Sequence, residues 1–242
     1  MRVLVTRASE DAGPLADALQ ARGFEPVAEP LLEIRFLDEA VPDLSGLQAL
    51  AFTSANGVRA LVHGAPDAKS KGLPVFAVGP MTAKAALEAG FDDVTSADGD
   101  VAALAKLIIT KCSPTLGAVL HVAGRHRAGN LSGALERGGM EARRAVLYEA
   151  IAAQSLSEPT RAMIAKDEIG AVLIFSPRTA GLFVSLMEDA GLAGAARKIV
   201  LVALSSAVAE AASSLHWGAV RIAGAPDGEA LVGALGQPAD GN

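Results

Sequence analysis

The chain has one tyrosine, Tyr148, in the run VLYEA. Short polar residues also recur where apolar runs end: Thr53, Ser54 and Asn56, then Gly79 and Thr82, then Ser176 and Arg178, then Ser206. Gly124–Arg125 and Arg7 occupy similar places after the runs VLHVA and VLVT. A phenol, with a pKa near 10 in water, can protonate a leaving hydroxyl as a general acid. It can equally pack as an amphipathic side chain at a domain junction. Hydroxyls and free backbone N–H groups at a strand end, beside a helix start, can hold carboxylates or phosphates. The same residues cap helices, so one such loop means little and several converging loops mean an anion site. Arg7, Arg125, Arg127 and Arg178 would add charge at these rims, although a single arginine is usually just solvated.

Other chemistries lack their signatures. There is no G-x-G-x-x-G, no G-x-x-x-x-G-K-[ST] and no G-x-S-x-G, which disfavours dinucleotide, P-loop and hydrolase-elbow readings. His121 sits inside an apolar run and reads as a core or cleft-lining histidine, not a metal ligand. Asp98, Asp100 and Asp227 precede helical patterns and read as N-caps. Cys112 is the single cysteine, so neither an intramolecular disulfide nor a cysteine metal cluster can form. No metal site is expected.

These residues must be positioned by aliphatic elements. Of 242 residues, 51% are hydrophobic but only 4% aromatic. Short aliphatic runs alternating with Ala/Leu-rich helical segments indicate an α/β fold. A net charge of −6 without a basic block argues against nucleic acid. No targeting segment or membrane-length apolar run is visible, so the expectation is a cytoplasmic protein without membrane contact.

Internal similarity gives the organisation. VFAVGPMTAKAALEAGF (75–91) parallels IVLVALSSAVAEAASSL (199–215), and ALAFTSANGVRAL (49–61) parallels AVLIFSPRTAGLF (171–183). The unit at 119–150, however, has its counterpart at the other end of its half, in residues 3–34. That displacement predicts a discontinuous α/β lobe from 1–33 plus 152–242, an inserted α/β lobe at 37–146, and a two-stranded connector from 33–37 and 147–152. Each lobe should be a doubly wound, five-stranded parallel sheet in the order 2-1-3-4-5. The switch point between strands 1 and 3 should face a hinged cleft.

The motifs LVTR (4–7), EPLLEI (29–34), FTSANGV (52–58), VGPMTA (78–83), VLYEA (146–150) and FSPRTA (175–180), with their permuted duplication, resemble uroporphyrinogen-III synthases. The resemblance covers nearly the whole chain. It implies a cofactor-free lyase of tetrapyrrole and heme biosynthesis that cyclises hydroxymethylbilane with loss of water and inversion of ring D, through a spiro intermediate. It further implies Tyr148 as the acid, and Ser54, Thr82 and Ser176 at positions that bind substrate. The family's second-lobe G-P-x-T turn is replaced here by VALSSA, with Ser206 in the threonine's place, which weakens the case for close backbone approach there. A monomer in transient contact with the preceding pathway enzyme is expected. The alternatives are a non-catalytic two-lobed protein that binds a small anion, and a nucleotide- or sugar-modifying enzyme on the same scaffold.

Overall fold

The computed structural model describes residues 1–7, 12–37, 42–126 and 129–236. In chain order the elements are β1 (Arg2–Val5), α1 (Gly13–Ala21), β2 (Glu25–Ala28), β3 (Leu32–Phe36), β4 (Leu47–Phe52), α2 (Ala55–Gly64), β5 (Val75–Ala77), α3 (Pro80–Glu88), β6 (Val94–Ser96), α4 (Val101–Lys111), β7 (Ala118–Gly124), α5 (Leu131–Arg137) and β8 (Ala142–Ala152). They continue as α6 (Glu158–Ala165), β9 (Ile169–Ile174), α7 (Pro177–Asp189), β10 (Val200–Ala203), α8 (Ser206–Ala211), β11 (Ala219–Ile222) and α9 (Gly228–Ala234). Contacts divide the chain into Met1–Glu33 with Ile151–Asn242, and Ile34–Ala150.

In the first unit the sheet order is β11-β10-β9-β1-β2, and every pairing is parallel. The order in which successive strands are added reverses between β1 and β9, so Thr6–Arg7 and Phe175–Ser176 leave the sheet side by side. Apolar residues on both parities bury both faces, as parallel sheets require. Leu4, Val172 and Ile174 face one core, against Phe183 and Met187 of α7. Val3, Val5, Ala171 and Leu173 face the other, against Leu15 and Leu19 of α1.

In the second unit the order is β3-β8-β7-β4-β5-β6. The run β8-β7-β4-β5-β6 is parallel throughout and repeats the first unit's topology, with its reversal between β7 and β4. The sixth strand departs from the five expected. The first part of β8 pairs with β7, from Ala142 to Tyr148. On the opposite edge of β8, Leu37 N–H donates to Leu147 O and, just past the strand, Ala153 N–H donates to Leu31 O. One index rises as the other falls, so β3 runs antiparallel to the far part of β8. The segments expected as a separate connector are therefore an extension of this sheet. They pair because two extended stretches lying side by side satisfy each other's backbone groups.

Period-two alternation also assigns the faces here. Leu50, Phe52, Leu120 and Val122 bury into one core with Val58 and Leu61 of α2. Ala49, Ala51 and Val119 bury into the other with Leu104 and Ile108 of α4 and Leu131 and Leu135 of α5. His121 and Ala123 fall on this second face, where the next apolar layer would stand.

Helix starts explain many of the polar turn residues. The Ser54 oxygen accepts from Asn56 N–H at 3.2 Å and caps α2. Asp100 and Asp227 cap α4 and α9. Ser176 and Thr179 form a reciprocal capping box on α7, with Pro177 at the first helical position. Proline suits that place because its missing N–H had no partner there.

A donor-lined pocket at the switch point of the second unit

Where β7 and β4 diverge, the second unit holds a cavity of about 340 Å³. Its walls come from the end of β4 (Thr53, Ser54), from β7 (His121, Ala123, Gly124), from α5 and the turn before it (Asn130, Ser132, Glu136), and from β8 (Ala142, Arg144, Tyr148). Alternation explains the β8 set: positions 142 and 144 share a face. A register shift between Ala123 and Gly124 then brings Tyr148 opposite Gly124.

Tyr148 lies directly on that glycine. A Cβ at position 124 would sit 2.8 Å from Tyr148 Cε2 and 2.9 Å from its Cζ, well inside contact distance. The missing side chain is thus the space that the phenol ring fills. Burial is the main influence on the phenol and raises its pKa, opposed by hydrogen bonding from Ser54 and from the Gly124 backbone, and by the Arg144 charge. Tyr148 is therefore a neutral O–H donor at physiological pH. Arg144 fixes the same corner by donating to Gly124 O at 2.7 Å.

His121 is 6% exposed. Its Nε2 lies 3.5 Å from Thr53 Oγ1, a marginal hydrogen bond, and its Nδ1 has no partner among the described residues. Burial, and then the positive charge of Arg144, pushes its pKa down to about 4, so the ring is neutral. Ser132 Oγ is likewise buried without a partner among the described residues. Buried polar atoms are almost always satisfied, so two orphans around one cavity mark a place prepared for a ligand's polar atoms.

Of the residues predicted from sequence, Thr53, Ser54, Gly124 and Tyr148 meet in this pocket. The others are placed elsewhere. Asn56 accepts from Arg59 at 2.8 Å. Gly79 is the N-cap of α3, and Thr82 is buried in that helix's first turn. Arg125 is an exposed side chain whose Nε pairs with Glu149 Oε2 at 2.8 Å. Glu149 also accepts from Arg35, and that hydrogen bond, aided by the charges of Arg35, Arg125 and His126, holds its carboxylate below the usual range. In the first unit, Arg7 lies over the Phe175 ring at 5.2 Å, Ser176 is committed to its capping box, and Arg178 and Ser206 are exposed in the first turns of α7 and α8. Arg127 lies outside the described residues. Sequence reasoning did not select Arg144 or Ser132, and placed His121 only as core or cleft lining. The signal for His121 was its parity in VLHVAG, which puts it on the α5 face. Among the described residues no group of three potential metal ligands occurs, and no helix is long and apolar enough to cross a membrane.

Doubly wound parallel sheets with donors clustered at a strand-order reversal define an α/β protein of the ligand-handling, switch-point kind. A family model described as Uroporphyrinogen-III synthase HemD matches residues 13–233. The chain belongs to the uroporphyrinogen-III synthase family. A Helicobacter pylori uroporphyrinogen-III synthetase structure superposes with a TM-score of 0.64 at 18% identity, covering 96% of this chain and 97% of that one. A mutant uroporphyrinogen III synthase from Thermus thermophilus gives a TM-score of 0.52 at 18% identity, covering 97% and 96%. These two likenesses speak to the fold. A Methanocaldococcus jannaschii protein described as a candidate uroporphyrinogen-III synthase is 38% identical over 63 residues, so the match spans only 26% of either chain. Family membership does not favour the non-catalytic anion-binding alternative.

Proposed function

We propose that the chain is a cyclising hydro-lyase that converts hydroxymethylbilane into uroporphyrinogen III. The observation that carries this reading is the half-buried, neutral phenol of Tyr148, seated on Gly124 at a pocket lined with hydrogen-bond donors. In the reaction the terminal C–O bond breaks, the departing oxygen takes the Tyr148 proton, and water leaves. Even with its pKa raised, a phenol is a far stronger acid than water, whose pKa is about 15.7, so transfer to a departing hydroxide runs downhill. Ring D then inverts through a spiro intermediate. Closure releases a proton from carbon, which restores the phenol. Atoms balance as substrate to product plus water, without net oxidation, so no redox cofactor enters.

Thr53 and Ser54 would serve as neutral donors to the substrate near Tyr148. Asn56, Gly79, Thr82, Arg125, Arg7, Ser176, Arg178 and Ser206 are proposed as further contacts for a substrate carrying a carboxylate on every side arm. A cytoplasmic monomer that receives its substrate from the preceding enzyme completes the reading. The test is to supply freshly prepared hydroxymethylbilane and separate the product isomers. Type III product is expected, and type I alone, the product of spontaneous closure, would refute the activity.

A further inference from the structure

The far wall of the pocket holds polar groups for which an acid at Tyr148 has no use. His121 Nδ1 and Ser132 Oγ are buried and unpartnered among the described residues, and Arg144 stands beside them on β8. In the register of the sheet His121 and Arg144 are direct neighbours across the β7–β8 ladder. A ring Nδ1 left unpartnered beside a guanidinium is a poor arrangement for a core, because that nitrogen forgoes the hydrogen bond it had in water. It becomes favourable when an anion enters. A carboxylate has two acceptor oxygens and no donor, which complements a guanidinium, an imidazole N–H and a hydroxyl. At about 340 Å³ the cavity is at the small end of ligand sites, which run from roughly 300 to 1,000 Å³. It suits one ring-sized fragment with its side arms, not an entire tetrapyrrole.

We infer that His121, Arg144 and Ser132 form a carboxylate-reading subsite for a single pyrrole side arm, with His121 as the residue that senses whether the arm is in place. This rests on the synthase reading for the identity of the arm. The other titratable groups lining the cavity are Tyr148, Glu136 and His126. Glu136 and His126 are exposed, whereas Arg144 is the charge that acts on the buried imidazole. Without the anion, burial and Arg144 both keep His121 neutral. With it, the carboxylate offsets Arg144 and accepts from the ring, so protonation becomes favourable. Binding should therefore take up a proton at mildly acidic pH and tighten as pH falls.

The experiment uses the full chain, and its probe is a monopyrrole bearing one acetate and one propionate arm. Controls are its dimethyl ester and sodium propionate. The His121 ring signal, identified among four histidines by its loss in His121→Leu, is followed by NMR across pH. With the acid probe saturating, its midpoint should rise by more than one pH unit, and the ester should leave it unmoved. His121→Leu should weaken the acid probe about tenfold or more, the scale of a lost hydrogen bond to a charged group. His121→Gln, an uncharged donor, should restore part of the affinity and none of its pH dependence. An unmoved His121 midpoint at saturation, or equal binding of acid and ester, would overturn the subsite. Propionate binding as tightly as the monopyrrole would overturn the side-arm assignment. Because probe binding needs no turnover, wild-type protein that shifts His121 but makes only type I product would sink the synthase reading and leave the subsite standing.

Discussion

The two units share one topology but use the polar groups at their switch points differently. In the first unit the buried ones are consumed internally. Thr6 is buried and donates to Leu173 O at 2.7 Å across the β1–β9 pair. Ser176 and Thr179 form a reciprocal capping box at the N-terminus of α7. The buried carboxylate of Glu29 accepts from Ser157 N–H at 2.9 Å and Ser157 Oγ at 2.6 Å, and also from the Thr160 hydroxyl. In the second unit the corresponding region keeps a cavity, a phenol, a guanidinium and two orphaned polar atoms. Duplication supplied the same frame twice; one copy closed its strand ends with its own hydrogen bonds, and the other left them for a guest. The buried hydrogen bonds of the first unit should therefore fail on mutation as lost stability, and the pocket groups of the second as lost chemistry.

The largest effect should come from Gly124→Val. Its side chain must occupy the space of the Tyr148 ring, so type III formation should fall at least as far as when a general acid is lost, on the order of 10²-fold. Turnover near wild type, with Tyr148 still seated in a crystal structure of the variant, would show that the close approach is incidental.

A second contrast is in pH dependence. His121 has a folded pKa of about 4 against an ordinary 6.5. Between those values the unfolded chain binds the proton and the folded chain does not, so stability rises with pH. It is complete above 6.5 and is lost as pH falls toward 4. The loss from this residue is about 3 kcal/mol at most, at 1.36 kcal/mol per pH unit. Urea titrations across that window should show a shallower fall in His121→Leu than in wild type; parallel curves would mean the imidazole is not held neutral.

The smallest expected effect sharpens the other half of the comparison. Thr6→Val removes one buried hydrogen bond of the first unit and should cost about 1 kcal/mol in urea unfolding, with turnover per folded molecule unchanged. A turnover loss larger than the stability loss would mean that the Thr6 hydroxyl itself takes part in the reaction.

Much of this frame was legible in the sequence, because periodicity and caps are local. The runs around Ala49–Phe52 and Ala171–Ile174 announced buried parallel strands, and Ser54, Asp100, Ser176 and Asp227 announced helix starts. What escaped was long-range. Arg125 stands 24 positions from Glu149, the carboxylate that pairs with it, and no spacing rule links them. The pairing of β3 with β8 joins segments more than 100 positions apart. The parity of His121 fixed its face, but whether α5 would cover that face completely or leave a void depends on packing that no local pattern encodes. Tyr148 read as part of a connector because the extent of β8 is set by its two partners.

The claim that the second unit's pocket performs the chemistry is tested most directly by Tyr148→Phe, which removes one oxygen and keeps the ring on Gly124. Single-turnover formation of type III product should slow on the order of 10²-fold or more, while the thermal midpoint stays at the wild-type value. An unchanged rate in a normally folded variant would contradict the account and leave Tyr148 as a packing residue.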